Sequence, residues 1–170
     1  MSEIIVELGD GLDPLAESYI DIDYANTYFE NRDAPEAWFC GNQDKQEAAI
    51  RYAMLYLETK YVFKGCLQSK EQPLSFPRTA FYDKEGRVLA GKDIIPEVIK
   101  QAVCELALRH MIEDLFYELP NQDKRIISES VGDRSVTLKG NAGNGSFKVV
   151  SNLLRPYLNG NSGVIPIVRG

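Results

Sequence analysis

Cysteine and histidine are the residue types in this chain most able to bind a metal or act as a nucleophile. The three cysteines, Cys40, Cys66 and Cys104, are odd in number and widely spaced, which fits neither a disulfide framework nor a paired zinc site. We therefore expect reduced cysteines that are mostly packing residues. His110, the only histidine, lies in an apolar helical run with no Cys or His at ligand spacing, so we expect a packed or partly exposed structural histidine. The sequence predicts no metal site and no cofactor.

The polar residues do not form a pattern typical of an active site. The proline-containing segment 72–79 offers no nucleophile beside a base and no pair of carboxylates. Glu113 and Asp114 are adjacent acids, but neighbouring positions point to different sides of a helix. We therefore predict no catalytic residue and expect that the protein is not an enzyme.

Composition predicts a single folded domain with appended arms. The chain has 170 residues and 44% hydrophobic content, which is enough to bury a core. Its 19 basic and 25 acidic residues give a net charge of −6, which opposes tight nonspecific binding to phosphates but allows a local basic patch. No run approaches the roughly 20 apolar residues that a membrane-spanning helix needs, and the first residues do not resemble a signal peptide. We expect a soluble protein with no membrane partner.

Apolar spacing predicts a short first helix and a longer second one. Asp21 is the expected N-cap of the first helix, which carries Ile22, Ala25, Tyr28 and Phe29. The second helix is expected to begin at Asp44, with Glu47 completing a capping box, and to end near Lys64-Gly65. Between them, Trp38 is the expected packing anchor of an irregular segment.

The third predicted helix starts at Pro96 and runs toward Leu119-Pro120. Its polar residues follow at steps of four and leave an apolar surface too wide for one neighbour to bury. Such a helix is either central in a bundle or partly covered by another subunit. The sequence alone leaves both readings open, and a central helix is the simpler one.

A rigid strap, residues 72–79, separates the second and third helices. Its prolines, Pro73 and Pro77, each fix their own φ and hold the preceding residue in extended conformation. Phe76 and Arg78 are therefore held on a stiff segment. For Arg78 we weigh a fixed structural or intersubunit contact against an internal salt bridge.

The last third of the chain changes character. Residues 126–131 and 135–138 can pair through Gly132-Asp133 as a β-hairpin, and a glycine-rich linker then leads to a short amphipathic helix. That helix carries Phe147, Val150, Leu153 and Leu154. A second flexible stretch precedes the apolar run 164–168, which is expected to be disordered or to act as an arm for another chain.

These patterns together predict a mainly α fold, a small helical bundle with a β-hairpin and flexible N- and C-terminal arms. We divide the chain into an N-terminal arm or strand (1–17), a helical core domain (18–120), the β-hairpin (121–140), and a linker, short helix and C-terminal arm (141–170).

Short motifs in a fixed order carry a resemblance that covers most of the chain. They are Glu7-Leu8-Gly9-Asp10-Gly11-Leu12, Ser18-Tyr19-Ile20, Tyr28-Phe29, Ala48-Ala49-Ile50, Phe63-Lys64-Gly65, Gln72-Pro73-Leu74-Ser75-Phe76-Pro77-Arg78, Ile95-Pro96 and Glu105-Leu106-Ala107. In these the chain resembles a family of tailed-bacteriophage proteins commonly labelled "putative DnaT-like single-stranded DNA-binding protein". Members of that family resemble head-tail connector (adaptor, or head completion) proteins. They often have Trp-Pro-Arg where this chain has Phe76-Pro77-Arg78.

The resemblance implies a structural virion protein at the neck of the particle, made in the host bacterial cytoplasm. Connectors form a ring, typically of twelve copies, beneath the portal; the ring extends the DNA channel and attaches the tail or neck. The implied partners are further copies, the portal protein, a tail or neck protein (stopper or tail terminator), and packaged DNA that passes without sequence-specific binding. An acidic protein suits the lining of such a channel. The expected protein interfaces are Phe76, Arg78, Val164, Ile165, Ile167 and Val168.

The alternative is a single-stranded DNA-binding accessory protein of replication. Such proteins combine aromatic side chains, on which bases stack, with cations that follow the backbone. The chain offers a limited set of this kind, namely Tyr52, Tyr56, Tyr61, Phe63, Lys60 and Lys64. Most of these residues fall at helical spacing and are more simply explained as core.

Overall fold

A computed structural model describes residues 3–83, 85–116, 128–131, 134–137 and 147–159. The helices are α1 (Ile22–Glu30), α2 (Glu36–Phe39), α3 (Gln43–Lys60), α4 (Glu97–Ile112) and α5 (Lys148–Leu154). The strands are β1 (Cys66–Leu67), β2 (Arg78–Thr79), β3 (Ser128–Val131) and β4 (Arg134–Thr137). The mainly α class and the β-hairpin predicted from the sequence are confirmed.

Helices α3 and α4 form the centre of the fold and make the most extensive contact between any two elements described. Their facing sides carry alanines that are fully buried, Ala49 and Ala53 on α3 and Ala102 and Ala107 on α4. Small side chains allow two helix backbones to approach closely, and larger neighbours such as Ile50, Leu57, Ile99 and Leu106 fill the space beside them. Because α4 also contacts α1, α2 and α5, its wide apolar surface is that of a central helix.

Two predicted helix ends lie elsewhere in the structure. The N-cap of α3 is Asn42, whose side chain accepts a hydrogen bond from the Lys45 amide at 3.0 Å, so the predicted capping box starting at Asp44 is wrong. Glu47 instead accepts bonds from Gln43 and Arg51 along the same helix. The α3 helix ends at Lys60, before Lys64-Gly65, because Tyr61 is already extended.

The α4 helix is also shorter than predicted. It ends at Ile112, because Glu113 has extended φ and ψ angles of −148° and 157°, and it does not continue toward Leu119-Pro120. At its other end the prediction is sound, since Pro96 immediately precedes the first helical residue. In the last third, β3 pairs with β4 in antiparallel register with Val131 opposite Arg134, and the predicted turn residues Gly132-Asp133 lie outside the described residues.

Trp38 is the buried anchor that the sequence predicts. Its side chain is 0% exposed, its indole N–H donates to Asn26 at 2.8 Å, and its ring lies 5.0 Å from that of Phe29. Asn26 and Phe29 belong to α1, so Trp38 fastens the short helix α2 to α1. The predicted packing role of Trp38 is confirmed.

The strap is held by one buried amide. The Gln72 side chain accepts hydrogen bonds from the Gln68 and Ser69 amides at 2.9 and 3.0 Å and donates to the carbonyls of Leu74 and Pro77 at 2.7 and 3.1 Å. Gln72 is only 7% exposed, so these bonds replace water for main-chain groups of the loop. The rigidity predicted from the prolines therefore has a second source in this side chain.

Phe76 is a core residue of the strap. It is 1% exposed, and its ring lies 4.9 Å from Phe63, 5.6 Å from Phe81 and 6.0 Å from Tyr19 in edge-to-face arrangements. The Phe76 amide donates to the Tyr19 hydroxyl at 3.0 Å. This aromatic cluster fastens the strap to the N-terminal part of the chain.

Arg78 binds main-chain carbonyls of the strap region. Its guanidinium donates to Lys64 at 2.6 Å, to Gly65 at 2.9 Å, to Ser75 at 3.0 Å and to Phe63 at 3.3 Å. These oxygens belong to the segment before β1 and to the strap itself. A fork of planar N–H groups can bind several carbonyls at once, which a single ammonium cannot do. This carbonyl set takes the place of the internal salt bridge that the sequence left open.

The predicted N-terminal strand docks on the core as an arm. Val6 forms a parallel bridge with Ser18, and the buried carboxylate of Glu7 accepts bonds from the amides of Gly9 and Gly11 at 2.8 and 2.9 Å. Gly9 has φ of +109°, and a Cβ there would lie 2.5 Å from the Asp93 carbonyl oxygen. Only glycine suits both the backbone angle and this close approach.

Arg78→Lys tests the carbonyl cluster. Because lysine would leave buried carbonyls unpaired, we expect the free energy of unfolding to fall by about 2 to 3 kcal/mol in urea titrations. Arg87→Lys is the matched control, since the Arg87 side chain is 76% exposed, and should change stability by less than about 0.5 kcal/mol. Equal stabilities of the two variants would contradict the assigned role of Arg78.

Gly9→Ala tests the contact between the N-terminal arm and the loop before α4. Gly86→Ala is the control, because Gly86 also has positive φ, +78°, but a Cβ there meets nothing within 4 Å. We expect Gly86→Ala to lower the free energy of unfolding by about 1 kcal/mol through backbone strain. Gly9→Ala should lower it by roughly 3 kcal/mol, because the collision with Asp93 adds to that strain. Equal losses of unfolding free energy in Gly9→Ala and Gly86→Ala would contradict a docked arm.

Candidate functional site

The six residues predicted as protein interfaces fall into two groups. Phe76 is buried in the aromatic cluster and Arg78 is bound to main-chain carbonyls, so both have internal structural roles. Val164, Ile165, Ile167 and Val168 lie outside the described residues. Contact of any of the six with a partner stays a prediction.

The cysteines and acids form no metal centre in the described part of the chain. Cys40 and Cys66 are exposed, Cys104 is buried, and all three are free thiols. The prediction of mostly packing cysteines is wrong, because two of the three side chains reach solvent. Burial raises the pKa of the Cys104 thiol well above its ordinary value, so it remains protonated. Across the described ranges, no three His, Cys, Asp or Glu side chains are grouped as metal ligands would be. Among the helices that the structure describes, none has the length and apolar character needed to cross a membrane.

Most of the aromatic residues proposed for base stacking are structural. Tyr56 and Phe63 are 1% and 2% exposed, and the partly buried Tyr61 shares a hydrogen bond with Ser151 at 3.3 Å. Their helical spacing reflects the core, as the simpler reading of the sequence held. Tyr52 differs, because 46% of it is exposed on the outer side of α3.

The two lysines of this set, Lys60 and Lys64, have different surroundings. Lys64 donates from its ammonium group to the Pro156 carbonyl at 2.7 Å and so ties the segment after α3 to the segment after α5. Lys60, in the last turn of α3, is exposed. The alternating aromatic and basic surface considered from the sequence is therefore reduced to Tyr52 and Lys60.

Tyr52 and His110 form a stacked pair on the surface. Their ring centroids are 4.4 Å apart and their planes are inclined by only 19°. Tyr52 lies in the middle of α3 and His110 in the last turns of α4, so the packing of these two helices brings the rings together. His110 is partly exposed, as predicted. Its contact with Tyr52 was not anticipated from the sequence.

His110 is neutral at physiological pH. Burial lowers the pKa of His110 below its ordinary value, and the nearby carboxylate of Asp114 opposes this shift only in part. The Nδ1 atom is buried and has no hydrogen-bond partner among the described residues. A neutral imidazole stacked on a phenol gives a flat, uncharged aromatic surface.

A shallow cleft of about 450 Å³ lies beside this pair. It is lined by Ala37, Cys40, Gly41, Lys45, Ala48, His110 and Met111. The lining comes from α2 and the turn after it, from the first turns of α3 and from the end of α4. Three of the seven lining residues are alanine or glycine, so at these positions the main chain lies close to the cleft surface.

Gly41 leaves room for the Met111 side chain in this cleft. A Cβ at this position would lie 2.4 Å from the terminal methyl of Met111, a flexible group that can move aside. The Gln46 side chain donates to the Trp38 carbonyl at 3.2 Å and holds the turn after α2 against α3. The small residues at 37, 41 and 48 were the available sequence signal, but they do not reveal which helices meet.

The charge at the cleft differs from that of the whole chain. None of its lining residues is acidic, and Lys45 is exposed at its rim. The carboxylates of Glu17 and Glu47 on the same side of α3 as Arg51 are paired with that guanidinium, at 2.8 and 3.4 Å. The arrangement can therefore hold a flat aromatic ring by stacking and an anionic group at Lys45.

Three comparisons with known proteins bear on this site. A family model described as "Putative DnaT-like ssDNA binding protein" matches residues 2–170. Searches of the curated proteins and of the solved structures gave no match.

The family match corrects the function predicted first from the sequence. It supports the DnaT-like label, but nothing found supports a head-tail connector, so the prediction of a structural connector is wrong. The net charge of −6 favoured the connector misleadingly, because it sums over the whole chain and does not describe the local surface of the cleft. The ring of copies, the portal and tail partners and the virion location are untested.

The family model spans nearly every residue, including both helices that carry the stacked pair. The chain therefore belongs to the family described as "Putative DnaT-like ssDNA binding protein".

Proposed function

We propose that this protein binds single-stranded DNA without turning over a substrate, and that an unpaired base stacks on Tyr52. The observation that carries this proposal is the surface stack of Tyr52 on His110, with ring centroids 4.4 Å apart and 46% of Tyr52 exposed. Membership of a family described by single-stranded DNA binding supports it. An accessory role in replication is the form in which the sequence suggested this function.

The stack favours single strands because their bases are accessible. A base in a duplex is covered by its neighbours on both faces, whereas an unpaired base can place one face on an aromatic side chain. His110 supports the Tyr52 ring and limits its movement, so less conformational freedom is lost when a base is bound. Stacking of this kind tolerates any base and predicts binding with little sequence preference.

Electrostatic attraction is the weaker part of the proposed interaction. Lys45 is the one lysine or arginine of the cleft lining, and burial of His110 lowers its pKa and so favours its uncharged form. The chain as a whole carries −6, which repels a polyanion at long range. Binding must therefore depend mainly on short-range stacking.

Tyr52→Ala tests the stacking contact. Because stacking contributes about 1 to 3 kcal/mol per base, we expect the dissociation constant for a labelled oligothymidylate to rise about tenfold in fluorescence anisotropy. Tyr52→Phe keeps the ring and should bind nearly as the natural protein does. Tyr82→Ala is the control, since Tyr82 is 48% exposed but lies in the loop before α4. Equal effects at the two tyrosines would refute a specific role for Tyr52.

The salt dependence tests the balance between stacking and charge. Each phosphate neutralised on a single strand contributes about −0.7 to the slope of log K against log salt. With Lys45 as the cation of the site, we expect a shallow slope of roughly −0.7 to −1.4.

Lys45→Gln should bring that slope close to zero, whereas Lys70→Gln, at an exposed position near the strap, should leave it unchanged. A slope several times steeper than expected, or one insensitive to Lys45, would place the main contacts elsewhere on the protein.

A further inference from the structure

We infer that the cleft beside the stacked pair is a pocket for one unpaired nucleotide, with the base in the cleft and a phosphate at Lys45. This inference rests on the proposed single-stranded DNA binding and adds a second contact to it. The first contact, at Tyr52, lies on the open surface. The second lies in the cleft between α2, α3 and α4.

The size of the cleft suits this ligand. Its volume of about 450 Å³ lies within the roughly 300 to 1,000 Å³ typical of small-molecule sites. A single nucleotide is a ligand of that class.

The lining suits the face of a base. Ala37, Gly41 and Ala48 project little from the backbone and leave room for a planar ring. Met111 lies across the cleft, and its flexible thioether can adjust to either a purine or a pyrimidine and make sulfur–aromatic contacts. The side chains of these four residues carry no hydrogen-bond donor, which agrees with sequence-tolerant binding.

The cleft lining carries one cationic side chain, Lys45, that can pair with a nucleotide phosphate, while a carboxylate oxygen of Glu36 lies 3.9 Å from the lining thiol of Cys40. Lys45 is exposed at the rim, where an ammonium group can reach a phosphate, and none of the lining residues is acidic. The neutral His110 adds an aromatic edge or face without a charge. An apolar peptide would leave Lys45 without an anion, so the nucleotide accounts for more of the lining.

A metal ion fits the same cleft less well. Cys40 and His110 both line it, and each can bind zinc. Structural zinc takes four ligands and catalytic zinc at least three from the protein. No group of three such side chains occurs in the described part of the chain, so these two residues do not complete a site.

His110 connects the two contacts. It stacks on Tyr52 and also lines the cleft, so the Tyr52–His110 pair would separate a base on the open face of Tyr52 from a base in the cleft. Two nucleotides of one strand would then occupy the two positions. The cleft therefore extends the surface stack by one base.

Methionine methyl resonances test this inference directly. With ¹³C-methyl methionine in the full chain, we expect the Met111 signal to shift when an oligothymidylate is added. Met54 is 3% exposed in the core, and its signal should not move. An abasic oligonucleotide of equal length supplies the phosphates without bases and should leave Met111 unshifted. Met111→Leu assigns the signal.

Ala48→Leu tests the cleft by filling it. Leucine is a good helix former and Ala48 is only partly buried, so the fold should be retained. We expect the dissociation constant for oligothymidylate to rise about tenfold, as for loss of one stacked base. The Ala48→Leu protein should retain the Tyr52 contact, so a further Tyr52→Ala change should weaken it again.

The outcomes separate this inference from the proposed function. Binding seen by anisotropy, with an unshifted Met111 signal and normal affinity in Ala48→Leu, would overturn the cleft and leave stacking on Tyr52 intact. A Met111 shift caused equally by the abasic strand would also overturn the cleft as a base pocket. Absence of any binding to oligothymidylate would remove both proposals.

Discussion

The close packing of α3 on α4 is the constraint on which the rest of this structure depends. Fully buried alanines on both helices permit it, and α4 then contacts α1, α2 and α5 as well. The same packing decides the surface, because it sets Tyr52 of one helix against His110 of the other. The proposed binding site is thus built on the two described helices that pack most extensively on each other. Sites on helices hold their geometry better than sites on loops.

In the segment between α3 and α4, side chains supply many of the hydrogen bonds to main-chain groups that helices and sheets supply elsewhere. The two strands of this region have only two residues each, so they satisfy few main-chain groups. Gln72 and Arg78 supply hydrogen bonds to the others, each binding several amides or carbonyls. The strap that resembles a family motif is therefore conspicuous in sequence for a structural reason. Phe76 of the strap packs in the core, and Arg78 donates hydrogen bonds to carbonyls of the neighbouring loops.

Local signals in the sequence predicted local structure well. Asp21 caps α1 by accepting from the Tyr24 amide, and β3 pairs with β4 in the antiparallel arrangement expected of the hairpin. The errors arose where two local solutions compete. Asn42 and Asp44 are both good N-caps, and only tertiary packing selects the first. The candidate site was beyond prediction, because Tyr52 and His110 meet only after α3 and α4 have packed. Tyr52 was in the set considered for stacking, but nothing in the sequence separated it from buried Tyr56.

Trp38 gives this protein a built-in optical reporter. It is the only tryptophan of the chain, it is fully buried, and its neighbours Ala37 and Cys40 both line the cleft. The emission of an indole depends on the polarity and mobility of its surroundings, and here those surroundings include Asn26 and Phe29 of α1. Intrinsic fluorescence therefore observes a single, defined place in the molecule. Loss of the contact between Trp38 and α1 would change this emission. Occupation of the cleft, which is lined by Ala37 and Cys40, would also be expected to change it.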